Sequence, residues 1–174
     1  SNTLFRNDIR KRLLMIQKPI FSPQTEWLPP ESFPDLSKHD EIAIDLETKD
    51  PSLKTMGSGS VTGKGKIVGI ALAVDNWSGY YPIAHEGGGN MDEKIVMDYF
   101  RTILNLPARK IFHNAMYDVC FIRAAGLKIN GEIVDTMIAG SLVDENRFRY
   151  DLGSMGRDYL GRGKNEAVLN ETAA

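Results

Sequence analysis

The run KIVGIALAV, residues 66 to 74, constrains the fold more than any other stretch. Apart from Lys66 and Gly69 every residue in it is apolar. Such a run reads as a buried strand, one with covering layers on both faces of its sheet. EIAIDLE, residues 41 to 47, reads as a second strand with a different pattern. Side chains alternate across a strand, so Ile42, Ile44 and Leu46 share the packed face, and Ala43, Asp45 and Glu47 share the other. Two carboxylates on one face, roughly 7 Å apart at their Cα atoms by strand rise, repel each other unless a cation lies between them. Taken alone, a face that meets water is the simpler explanation of the pair. A divalent cation, which selects carboxylate oxygens, is the sharper one.

The rest of the chain reads as compact α/β. DNWSG, residues 75 to 79, is a turn, and YYPIAH, residues 80 to 85, is the return strand of a hairpin. Apolar residues recur at steps of four over 92 to 104, an amphipathic helix. RKIFH, residues 109 to 113, is a short strand. Asn114 is placed to cap a helix over 115 to 125, and Gly126 to end it. Asn130-Gly131 is a turn, EIVDT a fifth strand, and Asp135 a cap for a helix over 136 to 143. A last helix covers 152 to 160. This order predicts a mixed sheet, with an antiparallel hairpin in front and parallel strands joined by helical crossovers behind.

Ahead of it, residues 1 to 38 divide into a short basic helix over 5 to 16 and a strap with five prolines over 19 to 37. Proline excludes helix there, and Phe21, Trp27, Leu28 and Phe33 are the strap's packing residues. Residues 39 to 174 form the main domain. GSGSVTGKGK, residues 57 to 66, has the wrong glycine spacing for a phosphate-binding loop and precedes a strand rather than a helix, so it reads as a mobile insertion. At 174 residues the chain suits one domain. A net charge of −2 excludes attachment to nucleic acid by bulk positive charge, and leaves open phosphate handling through metal ions. With one cysteine, Cys120, no internal disulfide forms, which suits a reducing compartment. No apolar run reaches membrane-spanning length.

HNAMYDVCFIRAAG, residues 113 to 126, places Asp118 in a first helical turn. The helix dipole favours an acid there without any further role. In a sheet of this order, however, Asp118 lies near the C-terminal end of the strand parallel to the one carrying Asp45 and Glu47. Ligand sites in α/β sheets collect at such ends. Three converging carboxylates make a metal cage, and a group of that kind holds two metals in phosphoryl chemistry.

IAIDLET, then IVGIALAV and YYPIAH, then KIFHNAMYDVCFIRAAGLKINGEIVDTMIA, in this order, resemble the 3′–5′ proofreading exonuclease domain of family A DNA polymerases. The resemblance covers about residues 40 to 165 and looks closest to phage-type polymerases. It implies a ribonuclease H-like fold of the DEDD superfamily and two-metal hydrolysis with Mg²⁺ or Mn²⁺. Asp45 and Glu47 then form the first motif and Asp118 the second. Asn114 and Tyr117 line the substrate cleft, and Thr48 contacts the 3′ nucleotide. Leu53, Met56, Tyr117 and Phe121 are candidates for stacking on bases. Asp135 is a structural cap rather than a ligand. The implied partners are a single-stranded DNA 3′ end and a polymerase domain in the same full-length chain. The implied place is a bacterial cytoplasm, or that of the host if the protein is phage-encoded.

The family's third motif, Tyr or His followed four residues later by Asp, has no counterpart beyond Asp118. The chain therefore reads as a fragment that stops before that motif, weakly active or inactive by itself, with the fourth carboxylate beyond Ala174. If the boundary lies elsewhere, Asp144, Asp151 or Asp158 is the fourth ligand. A ribonuclease D-like RNA exonuclease uses the same motifs. A non-catalytic module keeping the fold for polymerase architecture or DNA binding is the alternative of a different kind.

Overall fold

The computed structural model describes residues 29–161. The strands are β1, Glu41–Lys49, β2, Lys66–Val74, β3, Trp77–Pro82, β4, Arg109–Phe112, and β5, Ile133–Asp135. The helices are α1, Leu53–Met56, α2, Gly59–Thr62, α3, Glu93–Asn105, α4, Ala115–Ala124, α5, Thr136–Val143, and α6, Leu152–Leu160. One five-stranded sheet forms in the order β3-β2-β1-β4-β5. β2 is antiparallel to β1 and β3, while β4 is parallel to β1 and β5. The mixed sheet expected from the element order is present.

β1 alternates as its sequence requires. Ile42, Ile44 and Leu46 are buried, and Asp45 and Glu47 are exposed. The buried three join Ile70 and Leu72 of β2 and Val96, Phe100, Ile103 and Leu104 of α3 in the core. Asp92 starts α3 by accepting the Ile95 N–H at 3.0 Å, so the steps of four apolar residues face the sheet. The other face of β2 is less covered than its composition suggests. Ala71 and Ala73 there are half-buried, and they pair with Asp45 and Ala43 of β1. Their small side chains leave space rather than fill it.

Two expectations are corrected. The hairpin turn is only Asp75-Asn76, with Asn76 in the left-handed region at φ 64° and Val74 paired to Trp77. The return strand therefore begins three residues earlier than the turn reading placed it and ends at Pro82. Asn tolerates this conformation, which permits so tight a reversal. The glycine-rich stretch is ordered: its first part forms α2, and Gly65 N–H donates to Gly59 O at 3.2 Å to close the segment on itself. Of the strap's packing residues, Phe33 stacks on Tyr81 at 5.3 Å and meets Tyr99 at 4.8 Å between ring centroids. Phe21, Trp27 and Leu28, with the helix expected over 5 to 16, lie outside the described residues.

Lys110 on β4 is fully buried. Its ammonium donates to Leu106 O at 2.6 Å, Ala108 O at 2.8 Å and Asn130 O at 2.8 Å. All three of its donors are used, which makes burial of the charge tolerable. The lysine ties the end of α3 to the turn before β5, and so sets where β4 begins. Lys110→Met keeps the volume but strands three carbonyls. It should cost about 3 kcal/mol, or roughly 6–12 °C in Tm. Thermal melts check this, and an unchanged Tm would remove the clamp from the account.

Candidate active site

Asp45 and Glu47 stand on the open face of β1. Opposite them on β2 are Ala71 and Gly69. A Cβ at Gly69 would come within 1.9 Å of the Tyr80 hydroxyl, so the phenol lies over that glycine, beside Glu47. Burial, then the charges of Glu47 and Asp45, push the Tyr80 phenol above its ordinary pKa. It therefore stays protonated and is hydrogen-bonded to His85 Nε2. A cavity of about 450 Å³ opens along this face, lined among others by Asp45, Ala71, Tyr80, His113 and Thr136. The size is that of a small-molecule site.

Asp118 comes to the same place from α4. It is 4% exposed, one turn inside the helix. Burial and the neighbouring charge of Asp45 raise its pKa to about 7, with Glu47 and Asp135 adding to the rise and the Leu46 backbone N–H opposing it. The three acids of the two sequence motifs thus feel one another across the gap between β1 and α4. No three His, Cys, Asp or Glu side chains among the described residues make a ready-formed metal cage. The donor set nevertheless fits a hard divalent cation. All its ligands are carboxylate oxygens, and their mutual repulsion is what such a cation relieves.

The start of α4 is held in a way the sequence reading missed. Asn114 occupies the cap position but has left-handed backbone, φ 65°, and its side chain makes no capping bond. The capping acceptor is Asp135, at the end of β5. One carboxylate oxygen takes the Asn114 N–H at 3.0 Å, and the other takes the Ala115 N–H at 2.8 Å. Asp135 also accepts the Met137 N–H at 2.9 Å, capping α5 as expected. Thr136 next to it donates to Phe112 O at 3.1 Å and contacts His113 Nδ1 at 2.9 Å. Phe112 O takes the Thr136 proton, so His113 Nδ1 is the donor to Thr136. Its Nε2 is buried with no partner among the described residues.

Of the other site candidates, Thr48 and Tyr117 are joined, Oγ1 to Oη at 2.8 Å. Asn114 is exposed at the β4–α4 junction. Leu53 and Met56 are exposed, but Phe121 is 3% exposed in the core and is not available to stack on a base. The reserve acids have local work. Asp151 caps α6 through the Ser154 N–H at 2.9 Å, Asp158 pairs with Arg147 at 2.7 Å, and Asp144 accepts the Asn146 N–H at 3.1 Å. Sequence reasoning overlooked Asp50, Tyr80 and His113. Tyr80 was within reach, because continuing the alternation of β1 through the hairpin register puts it on the Asp45 face.

Residues 21–171 match the family model described as 3′-5′ exonuclease. A DNA-directed DNA polymerase of Pseudomonas phage M6 is 31% identical over 166 residues, 91% of this chain and 25% of the relative. The chain spans a quarter or less of the length of the curated relatives it matches. Among solved structures, Brucella melitensis NrnC with bound Mg²⁺ is 18% identical, with a TM-score of 0.57 over 75% of this chain and 58% of that one. The POL domain of Pol1 from M. smegmatis, in complex with DNA primer-template and dNTP, is also 18% identical. Its TM-score is 0.56 over 76% of this chain and 21% of that one. The structural likenesses carry the ribonuclease H-like exonuclease fold.

A prediction follows from the direction of the Asp118 shift. Between the unfolded value, roughly pH 4, and the folded value of about 7, the folded chain binds the proton and the unfolded chain does not. Without divalent ions, stability should therefore fall as pH rises through that window. Asp118→Asn removes the dependence. In EDTA the variant should gain Tm relative to wild type between pH 4 and pH 8. A difference that does not change with pH would contradict the raised pKa.

Proposed function

Since the chain belongs to the 3′–5′ exonuclease family of A-type DNA polymerases, we propose that it hydrolyses the terminal phosphodiester of a single-stranded DNA 3′ end, proofreading for a polymerase in the same protein. The observation that carries this reading is the set of two exposed acids on β1 and one buried acid on α4 that feel one another's charge, with Asp45 lining a cavity, in a chain with no net positive charge. A phosphodiester is an anion. Acids at its binding site are useful only with cations between.

Asp45, Glu47 and Asp118 would hold Mg²⁺ or Mn²⁺, two ions in the complete site. Such ions, when bound, polarise the phosphoryl oxygens and the attacking water. The chain's own residues then orient the strand. Asp45 faces the cavity from the centre of the sheet and is the natural shared ligand. Glu47 stands on the same face beside Tyr80. Tyr80 remains a neutral donor, because burial and the two acids disfavour its ionisation. Thr48 and Tyr117 present joined hydroxyls at the end of β1. Asn114, in left-handed backbone at the junction, directs a polar side chain outward. Exposed Leu53 and Met56 offer apolar surface to unpaired bases. The sequence likeness is to DNA polymerases, which favours DNA over RNA as substrate. No helix among the described residues is long and apolar enough to cross a membrane. The likeness to phage and bacterial polymerases supports a site of action in a bacterial cytoplasm, or that of the host if the protein is phage-encoded.

In the full-length protein, Asp45→Ala should lower release of nucleotides from a 5′-labelled single strand by at least ~100-fold, since the step depends on charge stabilisation and positioning. The fold should survive, because Asp45 is exposed and its loss relieves like-charge repulsion. Retention of the wild-type rate would remove Asp45 from the site and this function with it.

A further inference from the structure

We propose that Asp50 is a positioning residue that locks the glycine segment 57–65 onto α4 and so holds Tyr117 and Thr48, the chain neighbours of Asp118 and Glu47, in place. What the locked hydroxyls do rests on the exonuclease reading above; the lock itself rests on geometry alone.

Asp50 immediately follows β1. Its Oδ2 accepts the Gly59 N–H at 2.7 Å and the Tyr117 hydroxyl at 3.3 Å. Tyr117 thus spends its proton on Asp50, and the 2.8 Å contact with Thr48 has Thr48 as donor. One carboxylate oxygen joins three segments: the end of β1, the glycine segment and α4. Acceptors that carry charge make the stronger hydrogen bonds. Asp50 Oδ1 is buried and has no partner among the described residues. Leaving a carboxylate oxygen unsolvated is destabilising. A turn after a strand does not require that, whereas a fixed junction of three segments explains why it is tolerated.

The glycines show that the lock closes on contact. A Cβ at Gly59 would come within 2.4 Å of Gly65 Cα and 2.7 Å of Asp50 Oδ1. A Cβ at Gly65 would meet the Phe121 ring at 2.8 Å. The segment therefore crosses itself at two side-chain-free residues and seats on Phe121, whose ring lies 5.0 Å from that of Tyr117. Seated, it covers the Phe121 ring that packs on Tyr117. Released, it would free the tyrosine and expose Phe121.

Two measurements separate the lock from its purpose. The first is hydrogen exchange of the 57–65 amides. The second is fluorescence anisotropy of a 5′-fluorescein single-stranded oligodeoxynucleotide in EDTA. Both use the full-length protein. Asp50→Ala should speed exchange in this segment by ~10-fold or more and weaken oligonucleotide binding by ~10-fold. Asp50→Asn keeps an oxygen that accepts from both donors, so it should stay within ~3-fold of wild type on both readouts. Gly59→Ala keeps the carboxylate but crowds both Gly65 and Asp50 Oδ1, so it displaces the segment from the acid; it should reproduce the Asp50→Ala result, which covers the case of a poorly folding Asp50→Ala. Faster exchange with unchanged oligonucleotide affinity would reduce Asp50 to a structural role and overturn the proposal. So would unchanged exchange in both Asp50→Ala and Gly59→Ala. A wild-type protein that binds no oligonucleotide would instead defeat the exonuclease reading, and the exchange data would still decide whether the lock exists.

Discussion

The carboxylate of Asp135 is the contact on which the site's geometry depends. It takes two N–H groups at the start of α4 and one at the start of α5. The first turns of two helices carry partial positive charge and unpaired donors, and one acid satisfies both. The consequence is positional. β5 pairs with β4 in parallel, so its last residue lies level with Phe112, the last residue of β4. An acid at that point pins the first residue of α4 to the sheet, and Asp118 is then carried to β1 by one helical turn. Without that tie, α4 would retain its packing residues Phe121 and Ile122 but lose its exact register against Asp45 and Glu47.

Asp45 and Glu47 on one face of β1 and Asp118 buried on α4 bring like charges near one another. Much of the packing around them comes from other residues. Ile42, Ile44 and Leu46 bind β1 to the core from the opposite face. Lys110 anchors β4 through three carbonyls. On the site's own face the chain uses Gly69, which makes room for the Tyr80 phenol, and Ala71, whose small side chain lines the cavity. Packing is gathered on one side of the sheet, and the other carries Asp45, Glu47 and the cavity.

Local patterns made much of this legible in the sequence. The alternation in EIAIDLE placed both acids on one face, and the order of strands and helices led to the mixed sheet. Asp118 followed because the helix after β4 starts at the C-terminal end of a parallel strand. What escaped was long-range. Asn114 has every local qualification of a helix cap, yet Asp135, twenty-one residues on, takes its place; the side chain in left-handed backbone points away from the donors. The glycine segment looked loose because its anchors, Asp50 and Phe121, lie outside it in sequence. Nothing in RKIFH sets Lys110 apart from Arg109 beside it, and only the convergence of three carbonyls from the loop before β4 and the turn before β5 reveals a buried role.

The central claim is that Asp45, Glu47 and Asp118 form one site whose repulsion a divalent ion relieves. Titration calorimetry of Mn²⁺ into the protein at pH 7, repeated in buffers of different ionisation heat, tests it most directly. Because Asp118 titrates at about 7, binding should release roughly half a proton per site, and the release should vanish in Asp118→Asn. Binding with no proton release, or equal release from wild type and variant, would show that Asp118 is not part of the ion's site.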